Sequence, residues 1–384
     1  MIVRYCRENE REVSKKIWLD TFRDSEEYID WYMESVHRNE NNLFILENNE
    51  IVGMLYENPY EIKILNRIEK SIYMVAVAIE NQYRGEGYFK KLMEESLRNL
   101  KSQGIGIVFL HPVSSEIYKR FGFIYGSNVE KYTCQLKEIP VKTKKYKIIE
   151  ISEKNNLKDL VKIYNKYMEN CNISMIKDEE NLKKLFEETS ADGGKTYGIA
   201  CEDGKLQGYF TYTMDGEDIF IKELAFENKN AFETMMWFFK TFENYYKNLQ
   251  IITYEGSQLN LYLDREEILR KEVVPQIQFR ILNIKEYLEN IYILLNKDEE
   301  FILKIKDRLF SDECYRISRG EAEKIETENY HVEISIETLT QLITGYLNIE
   351  EALKLEKINI LDEEKLFLLK KIKPQRKSFF NQFF

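Results

Sequence analysis

The spacing of apolar residues at the start of the chain switches between a strand period and a helix period. Nearly continuous apolar runs at 70–80 and 104–110 are typical of strands buried on both faces. The stretches 8–22 and 25–36 carry apolar residues three to four positions apart, which predicts two amphipathic helices. Ser25 is expected to cap the second helix. Together these elements predict a mixed α/β domain.

Polar residues and glycines mark the turns between these elements. Asn48 and Asn49 separate two apolar runs and tolerate a positive φ, which predicts a hairpin over 42–57. A short helix is predicted from residue 114 onwards and is expected to stop at Gly122, before a further strand.

A second block repeats this order after the lysine-rich, proline-containing stretch 138–150. It has a hairpin over 197–212, then a strand, a helix over 230–246 and another strand. The repeated order predicts an internal duplication. The second copy lacks paired glycines before its helix, since 227–230 reads ENKN.

A third block starts near residue 272, with strands predicted at 314–320 and 331–337, and ends in an aromatic tail. The fold class is therefore predicted to be α/β (α+β), with three domains because the chain is too long for one core. The predicted domains are 1–140, 141–271 and 272–384.

The composition of the chain argues against several classes of function. The 384 residues carry a net charge of −10, and an acidic chain gains nothing from phosphate contacts, so no nucleic-acid partner is expected. The sequence has no run of about 18 apolar residues and begins with charged residues, so neither a membrane span nor a secretion signal is expected. The five cysteines form no CxxC pair and the three histidines lie far apart. We therefore expect a cytoplasmic protein with reduced thiols and no metal site.

The segment QYRGEG, Gln82 to Gly87, lies between a buried strand and an amphipathic helix. A helix N-terminus presents unpaired N–H groups and a partial positive charge, both of which favour phosphate. Gly85 and Gly87 would allow close approach of the backbone, and Arg84 adds a positive charge. The sequence lacks a Walker motif, and the third glycine of a dinucleotide fingerprint is missing. Two interpretations stay open from these residues alone: a phosphate-binding loop, or a turn that needs glycine.

This segment, with YMVAVAIE before it and EIYKRFGF after it, resembles the Gcn5-related N-acetyltransferase (GNAT) superfamily. The resemblance implies that acetyl-CoA is the cosubstrate and that its diphosphate binds the glycine segment. It also implies that the strand before the segment pairs with the pantetheine arm and that Tyr118 is the general acid. The residues implicated in binding acetyl-CoA are Val75, Val77, Gln82, Tyr83, Arg84, Gly85, Gly87, Tyr88 and Ser114.

Two GNAT-like blocks followed by a sterol-carrier-like (SCP2-like) block resemble the Eis (enhanced intracellular survival) acetyltransferases. FRILNIKEYLENI, HVEISIETLTQLITGYLNIEEAL and the aromatic C-terminus carry this resemblance. It implies a homo-hexamer that acetylates amines of small molecules, aminoglycosides among them. It further implies that the C-terminal carboxylate of Phe384 is the general base; a path through ordered water is the alternative.

The amine is expected to bind near the two N-terminal helices. Phe22, Asp24 and Trp31 offer a negative charge and aromatic faces to a cation. The alternative is that these residues are core aromatics and a solvated aspartate. Ser114 and Ser115 are expected to cap the helix that carries Tyr118.

Two other functions stay open from the sequence. A non-catalytic acyl-CoA sensor would use the same glycine segment, since binding does not require turnover. A lipid carrier would use the third block, although the charged stretch EEKLFLLKKIKPQRK leaves it without an obvious long apolar lining.

Overall fold

The computed structural model of the protein describes residues 1–151, 157–292 and 294–380. The strands in these ranges are β1 Ile2–Tyr5, β2 Asn42–Glu47, β3 Glu50–Ile64, β4 Arg67–Ile79, β5 Ile107–Leu110, β6 Ile124–Gln135, β7 Lys147–Glu150, β8 Ser174–Met175, β9 Lys195–Ala200, β10 Leu206–Asp215, β11 Asp218–Phe226, β12 Asn248–Tyr254, β13 Arg270–Ile281, β14 Phe301–Lys306, β15 Glu313–Ser318, β16 Glu321–Ile325, β17 Val332–Ser335 and β18 Ile358–Ile360. The helices are α1 Arg11–Thr21, α2 Glu26–Ser35, α3 Tyr88–Ser102, α4 Ser115–Lys119, α5 Leu157–Tyr167, α6 Glu179–Ala191, α7 Lys229–Lys240, α8 Lys285–Ile291, α9 Ile336–Thr344, α10 Ile349–Lys354 and α11 Leu366–Leu369.

Thirteen strands of the described ranges form one continuous sheet. Its first half has the order β1-β2-β3-β4-β5, with neighbours antiparallel except for the parallel pair β4 and β5. Its second half has the order β6-β12-β11-β10-β9-β7, and β11 and β12 are again parallel. The predicted mixed α/β class is confirmed, and both halves contain the strand–helix–strand order that suggested a duplication.

Strand β13 joins the two halves, because it pairs antiparallel with β5 on one edge and with β6 on the other. The first half is thus completed by residues 270–281 rather than by the segment that follows β5. Both faces of its C-terminal half are buried, with Ile277 and Phe279 on one face and Gln278 and Arg280 on the other. The domain boundary that we predict between residues 271 and 272 falls inside β13.

Helices cover both faces of the first half-sheet. On β2, Phe44 packs with α1 and α2, whereas its neighbours Leu43 and Ile45 pack with α3. This alternation follows from the two-residue period of a strand, and it explains why the strand reads as a continuous apolar run.

The third block forms a separate five-stranded sheet with the order β16-β15-β14-β17-β18. Helix α9 lies between this sheet and the large one, and all residues from Thr338 to Thr344 are buried. The Gln341 side-chain amide donates to the Tyr125 carbonyl at 3.1 Å, which ties α9 to β6. The tail returns to the large sheet, where the Phe379 N–H donates to the Ile173 carbonyl at 2.9 Å.

Several local predictions are confirmed. The Ser25 hydroxyl accepts a hydrogen bond from the Tyr28 N–H at 3.2 Å and caps α2. Asn48 and Asn49 have φ values of 49° and 68° in the turn between β2 and β3. The predicted helix over 230–246 is too long, since α7 ends at Lys240. Phe242 and Tyr246, which follow it in turns, still pack against the hydrophobic core of the second half.

Candidate active site

The pairing between β4 and β5 is short. Among the described residues, two pairs are aligned across these strands: Ile72 with Val108 and Tyr73 with Phe109. Beyond Tyr73, β4 continues to Ile79 paired with β3. Beyond these positions no described strand pairs with β4 on the side of β5, and we call this unpaired edge of β4, up to Ile79, the opening between β4 and β5.

A β-bulge lies on β4 beside this opening. The register with β3 moves from Val75 opposite Tyr56 to Ala78 opposite Met54, so an extra residue sits on β4. Ala76 has a φ of 49°, a strained value for a residue with a Cβ. A bulge re-aims the backbone groups next to it. Val75 and Val77, the predicted contacts of the pantetheine arm, flank Ala76.

The glycine segment ends at the first residue of α3. Gly85 and Gly87 have φ values of 85° and 92°, which only glycine adopts without strain. A Cβ at either position would meet no atom within 4 Å, so packing does not explain the glycines. Gly87 occupies the N-cap position without a side-chain cap. The first N–H groups of α3 are therefore free to bind an anion.

The side chains of the segment lie close to this helix end. The Arg84 Nε donates to the Ile79 carbonyl at 3.0 Å, and the Gln82 amide donates to Glu80 at 2.7 Å. The rings of Tyr83 and Tyr88 pack edge to face at 5.7 Å. The structure thus brings the predicted residues of the segment together at one helix N-terminus.

The equivalent helix of the second half differs at its start. Asn228 is the N-cap of α7, and its side chain accepts a hydrogen bond from the Ala231 N–H at 3.1 Å. An orphan N–H group that α3 leaves open is therefore satisfied within α7. This end has no glycine pair and offers less to a phosphate.

Tyr118 lies on α4 and packs against the first turn of α3. Its side chain is 5% exposed, and its ring packs against Phe89 at 5.8 Å and Phe123 at 6.1 Å. Burial raises the pKa of the Tyr118 phenol to about 12. Ser114 holds the N-cap position of α4 but makes no side-chain cap hydrogen bond, so the capping that we predict for its hydroxyl is not formed.

Two of the three residues predicted to bind the amine contact the same side chain, Trp18. Asp24 accepts a hydrogen bond from the Trp18 indole at 2.8 Å, and the Phe22 ring packs edge-on to Trp18 at 6.1 Å. Trp31 instead lines a cavity of about 260 Å³ between α2, β3 and α6. Glu188 of α6 lines the same cavity.

Sequence reasoning missed Glu188. The buried positions of α6 are Leu182, Leu185, Glu188 and Thr189, so this carboxyl group lies on the apolar stripe of an amphipathic helix. A charged residue at a stripe position is the signal that could have identified it.

The tail reaches the same face of the sheet as this cavity. Phe380 packs against Phe109 of β5 with ring centroids 4.2 Å apart and against Phe279 at 5.9 Å. Phe383 and Phe384 lie outside the described residues.

In the described ranges, no helix has the length and apolar character needed to cross a bilayer. The same ranges contain no group of three or more His, Cys, Asp or Glu side chains arranged to hold a metal ion.

Comparison with protein families identifies two domains. Residues 2–126 match the model of an acetyltransferase (GNAT) domain, and residues 284–381 match the model of a sterol carrier protein domain. The chain thus carries a GNAT acetyltransferase domain together with a sterol carrier protein domain, and the predicted enzyme class, N-acetyltransferase, is confirmed. No curated protein sequence matches the chain.

Proteins of known structure share the fold over the whole chain. A conserved protein of unknown function from Enterococcus faecalis V583, described as a probable N-acyltransferase, has a TM-score of 0.86 at 18% identity, covering 100% of this chain and 99% of its own. A GCN5-related N-acetyltransferase from Anabaena variabilis ATCC 29413 has a TM-score of 0.78 at 18% identity, with 100% of both chains covered. Eis1 from Mycobacterium abscessus has a TM-score of 0.77 at 11% identity, again with 100% of both chains covered. At sequence identities of 11–18%, these comparisons show that the chain shares the fold of these proteins.

Proposed function

We propose that the protein is an Eis-like N-acetyltransferase that transfers the acetyl group of acetyl-CoA to amines of small cationic molecules. One combination of features carries this proposal: an uncapped N-terminus of α3 behind two glycines, the opening between β4 and β5, and the buried phenol of Tyr118 packed on Phe89. They match three needs of acetyl transfer, namely diphosphate binding, space for the thioester and a proton donor.

The proposed contacts of acetyl-CoA follow from this arrangement. The N–H groups from Gln82 to Tyr88 would bind the diphosphate, and the Arg84 guanidinium would add charge. The backbone of Val75 and Val77 beside the bulge would hold the pantetheine arm. Ser114, at the start of α4, is a further proposed contact.

Tyr118 is proposed to donate a proton to the leaving sulfur. In the transfer, the amine nitrogen bonds to the acetyl carbon, the carbon–sulfur bond breaks, the amine loses a proton and the sulfur gains one. A buried phenol with a pKa of about 12 is a weak acid. Burial acts on thiols in the same way, as it raises the pKa of Cys134 to about 12. A thiolate in an apolar site is therefore basic enough to take the proton.

The C-terminal carboxylate of Phe384 is proposed to accept the proton of the amine. Phe380 packs on β5, which borders the opening. Because four residues extend at most about 14 Å, the proposal requires the carboxylate to act within that distance of Phe380. Ordered water is the alternative acceptor.

The resemblance to the Eis acetyltransferases supports three further parts of the proposal. Aminoglycosides are proposed as one class of acceptor, the assembly as a homo-hexamer, and the location as the cytoplasm. The likeness in fold to Eis1 from Mycobacterium abscessus supports the architecture on which these parts rest.

Thiol release from acetyl-CoA with a panel of aminoglycosides, polyamines and lysine peptides tests the proposal. Wild-type protein should release thiol only with an amine present. Tyr118→Phe should lower kcat by about 10²- to 10⁴-fold, with the Kd for acetyl-CoA unchanged, because only the proton donor is lost. Tyr245→Phe, at a residue that is 81% exposed, is the control and should keep wild-type activity.

Two results would contradict the proposal. Binding of acetyl-CoA without acetylation of any amine would favour a sensor. Wild-type kcat in Tyr118→Phe would remove the phenol from the mechanism.

A further inference from the structure

The cavity of about 260 Å³ lies between the two halves of the large sheet. Trp31 on α2 and Tyr60 on β3 line it from the first half, and Glu188 on α6 lines it from the second. Pockets for drug-sized ligands usually measure about 300–1,000 Å³, so this cavity fits a small molecule or one ring of a larger one.

The carboxyl group of Glu188 lines the cavity and has no hydrogen-bond partner among the described residues. The residue is 6% exposed, and none of the described residues donates a hydrogen bond to the carboxyl group. The nearby lysines are engaged elsewhere, since Lys177 pairs with Glu223 and Lys222 pairs with Asp192. An unpaired buried carboxylate costs free energy, and a bound cation would remove that cost.

Three tyrosine hydroxyl groups lie within electrostatic range of this carboxyl group. Burial, followed by the negative charge of Glu188, raises the pKa of Tyr28, Tyr60 and Tyr73. The Tyr28 hydroxyl is itself buried without a hydrogen-bond partner in the described ranges. A carboxylate with aromatic rings around it is a suitable site for an ammonium group.

The cavity lies next to the opening between β4 and β5. The rings of Tyr60 and Tyr73 are 6.3 Å apart. Tyr73 stacks on Phe109 at 5.0 Å, at the last paired position before the two strands separate. Tyr60, which lines the cavity, is therefore one ring contact away from the residue at which the pairing of the two strands ends.

We propose that this cavity binds the acceptor and that Glu188 holds an ammonium group of a diamine or polyamine whose other amine is acetylated. The inference rests on the proposed N-acetyltransferase function. An attacking amine must be neutral, whereas a carboxylate favours the charged form. The ammonium group at Glu188 is therefore a second group of the same molecule, and Trp31 and Tyr60 flank the carbon chain between the two nitrogens.

Kinetics with two probes of similar shape test this inference. Wild-type protein should acetylate 1,4-diaminobutane with a kcat/KM about tenfold or more above that for 1-aminobutane, which lacks the second ammonium group. Glu188→Gln should reduce this preference to about twofold, mainly through KM, because a neutral amide does not attract the cation. Glu187→Gln is the matched control on the next residue of α6, where Glu187 pairs with Lys183 at 3.6 Å, and should keep the preference.

Calorimetry with CoA present gives a readout that does not need turnover. Burial raises the pKa of Glu188 to about 7. Binding of 1,4-diaminobutane at pH 7 should therefore release about half a proton, measured from the heats in two buffers of different ionisation enthalpy. Glu188→Gln should release none and should bind at least tenfold more weakly.

The other charged and titratable groups that face Glu188 or line the cavity are Tyr28, Tyr60, Tyr73, Lys177, Asp192, Lys222, Glu223, Arg38, Glu180 and Lys184.

The outcomes separate this inference from the proposed function. Amine acetylation with the same diamine preference in wild type and Glu188→Gln would overturn the inference and leave the function intact. Diamine binding that depends on Glu188 without acetylation of any amine would support the cavity and overturn the function. Absence of diamine binding to CoA-loaded wild type would overturn the inference.

Discussion

At the residue scale, burial controls the chemistry of the titratable groups around the opening. It raises the pKa of Tyr118 to about 12 and of Glu188 to about 7. For Tyr118 no neighbouring charge contributes to the shift, and for Glu188 the lysines nearby only partly offset burial. The types of these residues are visible in the sequence, but their acidity depends on what packs around them.

Glu188→Gln should stabilise the fold at high pH. Below about pH 4.5 the carboxyl group is protonated in both states and has no effect on stability. As pH rises toward about 7, the unfolded chain loses its proton and the folded chain keeps it, so the wild type loses up to about 3 kcal/mol of stability. Urea unfolding followed by circular dichroism should show the variant less than about 1 kcal/mol more stable at pH 5 and about 3 kcal/mol more stable at pH 8.

Glu187→Gln is the control for this measurement, because it removes a carboxylate one position along, at a more exposed site. Its free energy of unfolding should stay within about 0.5 kcal/mol of wild type at both pH values, because substitutions at such partly exposed sites usually have small effects. A difference for Glu188→Gln that is equal at pH 5 and pH 8 would contradict the buried, unpartnered state of the carboxyl group.

At the element scale, the N-terminal caps distinguish the two related helices. Helix α3 begins at Gly87 with open N–H groups, whereas α7 begins at Asn228, which fills part of the same space with its own side chain. The residue at the N-cap thus distinguishes the two helix ends. Glycine leaves the N–H groups of α3 open to a phosphate, whereas asparagine satisfies one N–H group of α7 with its own side chain.

Gly87→Ala should weaken binding of acetyl-CoA. Gly87 and Gly104 lie at opposite ends of α3 and have φ values of 92° and 82°, and a Cβ added at either position would meet no atom within 4 Å. Alanine at either position should cost about 1–2 kcal/mol of stability through the left-handed backbone. Only Gly87→Ala should raise the Kd for acetyl-CoA, by about tenfold or more, because its methyl group would occupy the space in front of the α3 N–H groups.

Isothermal titration with acetyl-CoA and urea unfolding of both variants would measure these effects. Equal Kd values in the two glycine variants would show that strain, and not the phosphate site, accounts for any loss.

At the scale of the whole molecule, two distant segments complete the first half-sheet. Strand β13 fills the position beside β5, and the tail places Phe380 against Phe109. Phe109 and Phe380, which pack together beside the opening, are 271 positions apart in the chain.

Adding one glycine after Phe384 should lower kcat by about tenfold or more while the Kd for acetyl-CoA stays the same, because a displaced carboxylate cannot accept the proton of the amine. One glycine added before Met1 is the control and should leave kcat unchanged. Steady-state kinetics and calorimetry would measure both variants. Wild-type turnover in the C-terminal extension would exclude the carboxylate and favour ordered water.

Much of the local structure was predictable. The cap at Ser25, the turn at Asn48 and Asn49, and the position of the glycine segment between β4 and α3 depend on a few adjacent residues, and each was found as expected. The acceptor side was less predictable, since Asp24 accepts a hydrogen bond from Trp18 and Glu188 approaches the first half from a distant helix.

The sequence by itself determined the periodicity of the strands and helices, the caps and the glycine segment, because these are set by neighbouring side chains and backbone angles. Only the tertiary structure decided that β13 inserts beside β5, that α6 adds a carboxyl group to the first half, and that burial shifts the acidity of that group. Strand pairing and burial depend on contacts between residues far apart in the chain, and no local pattern specifies which distant segments will meet.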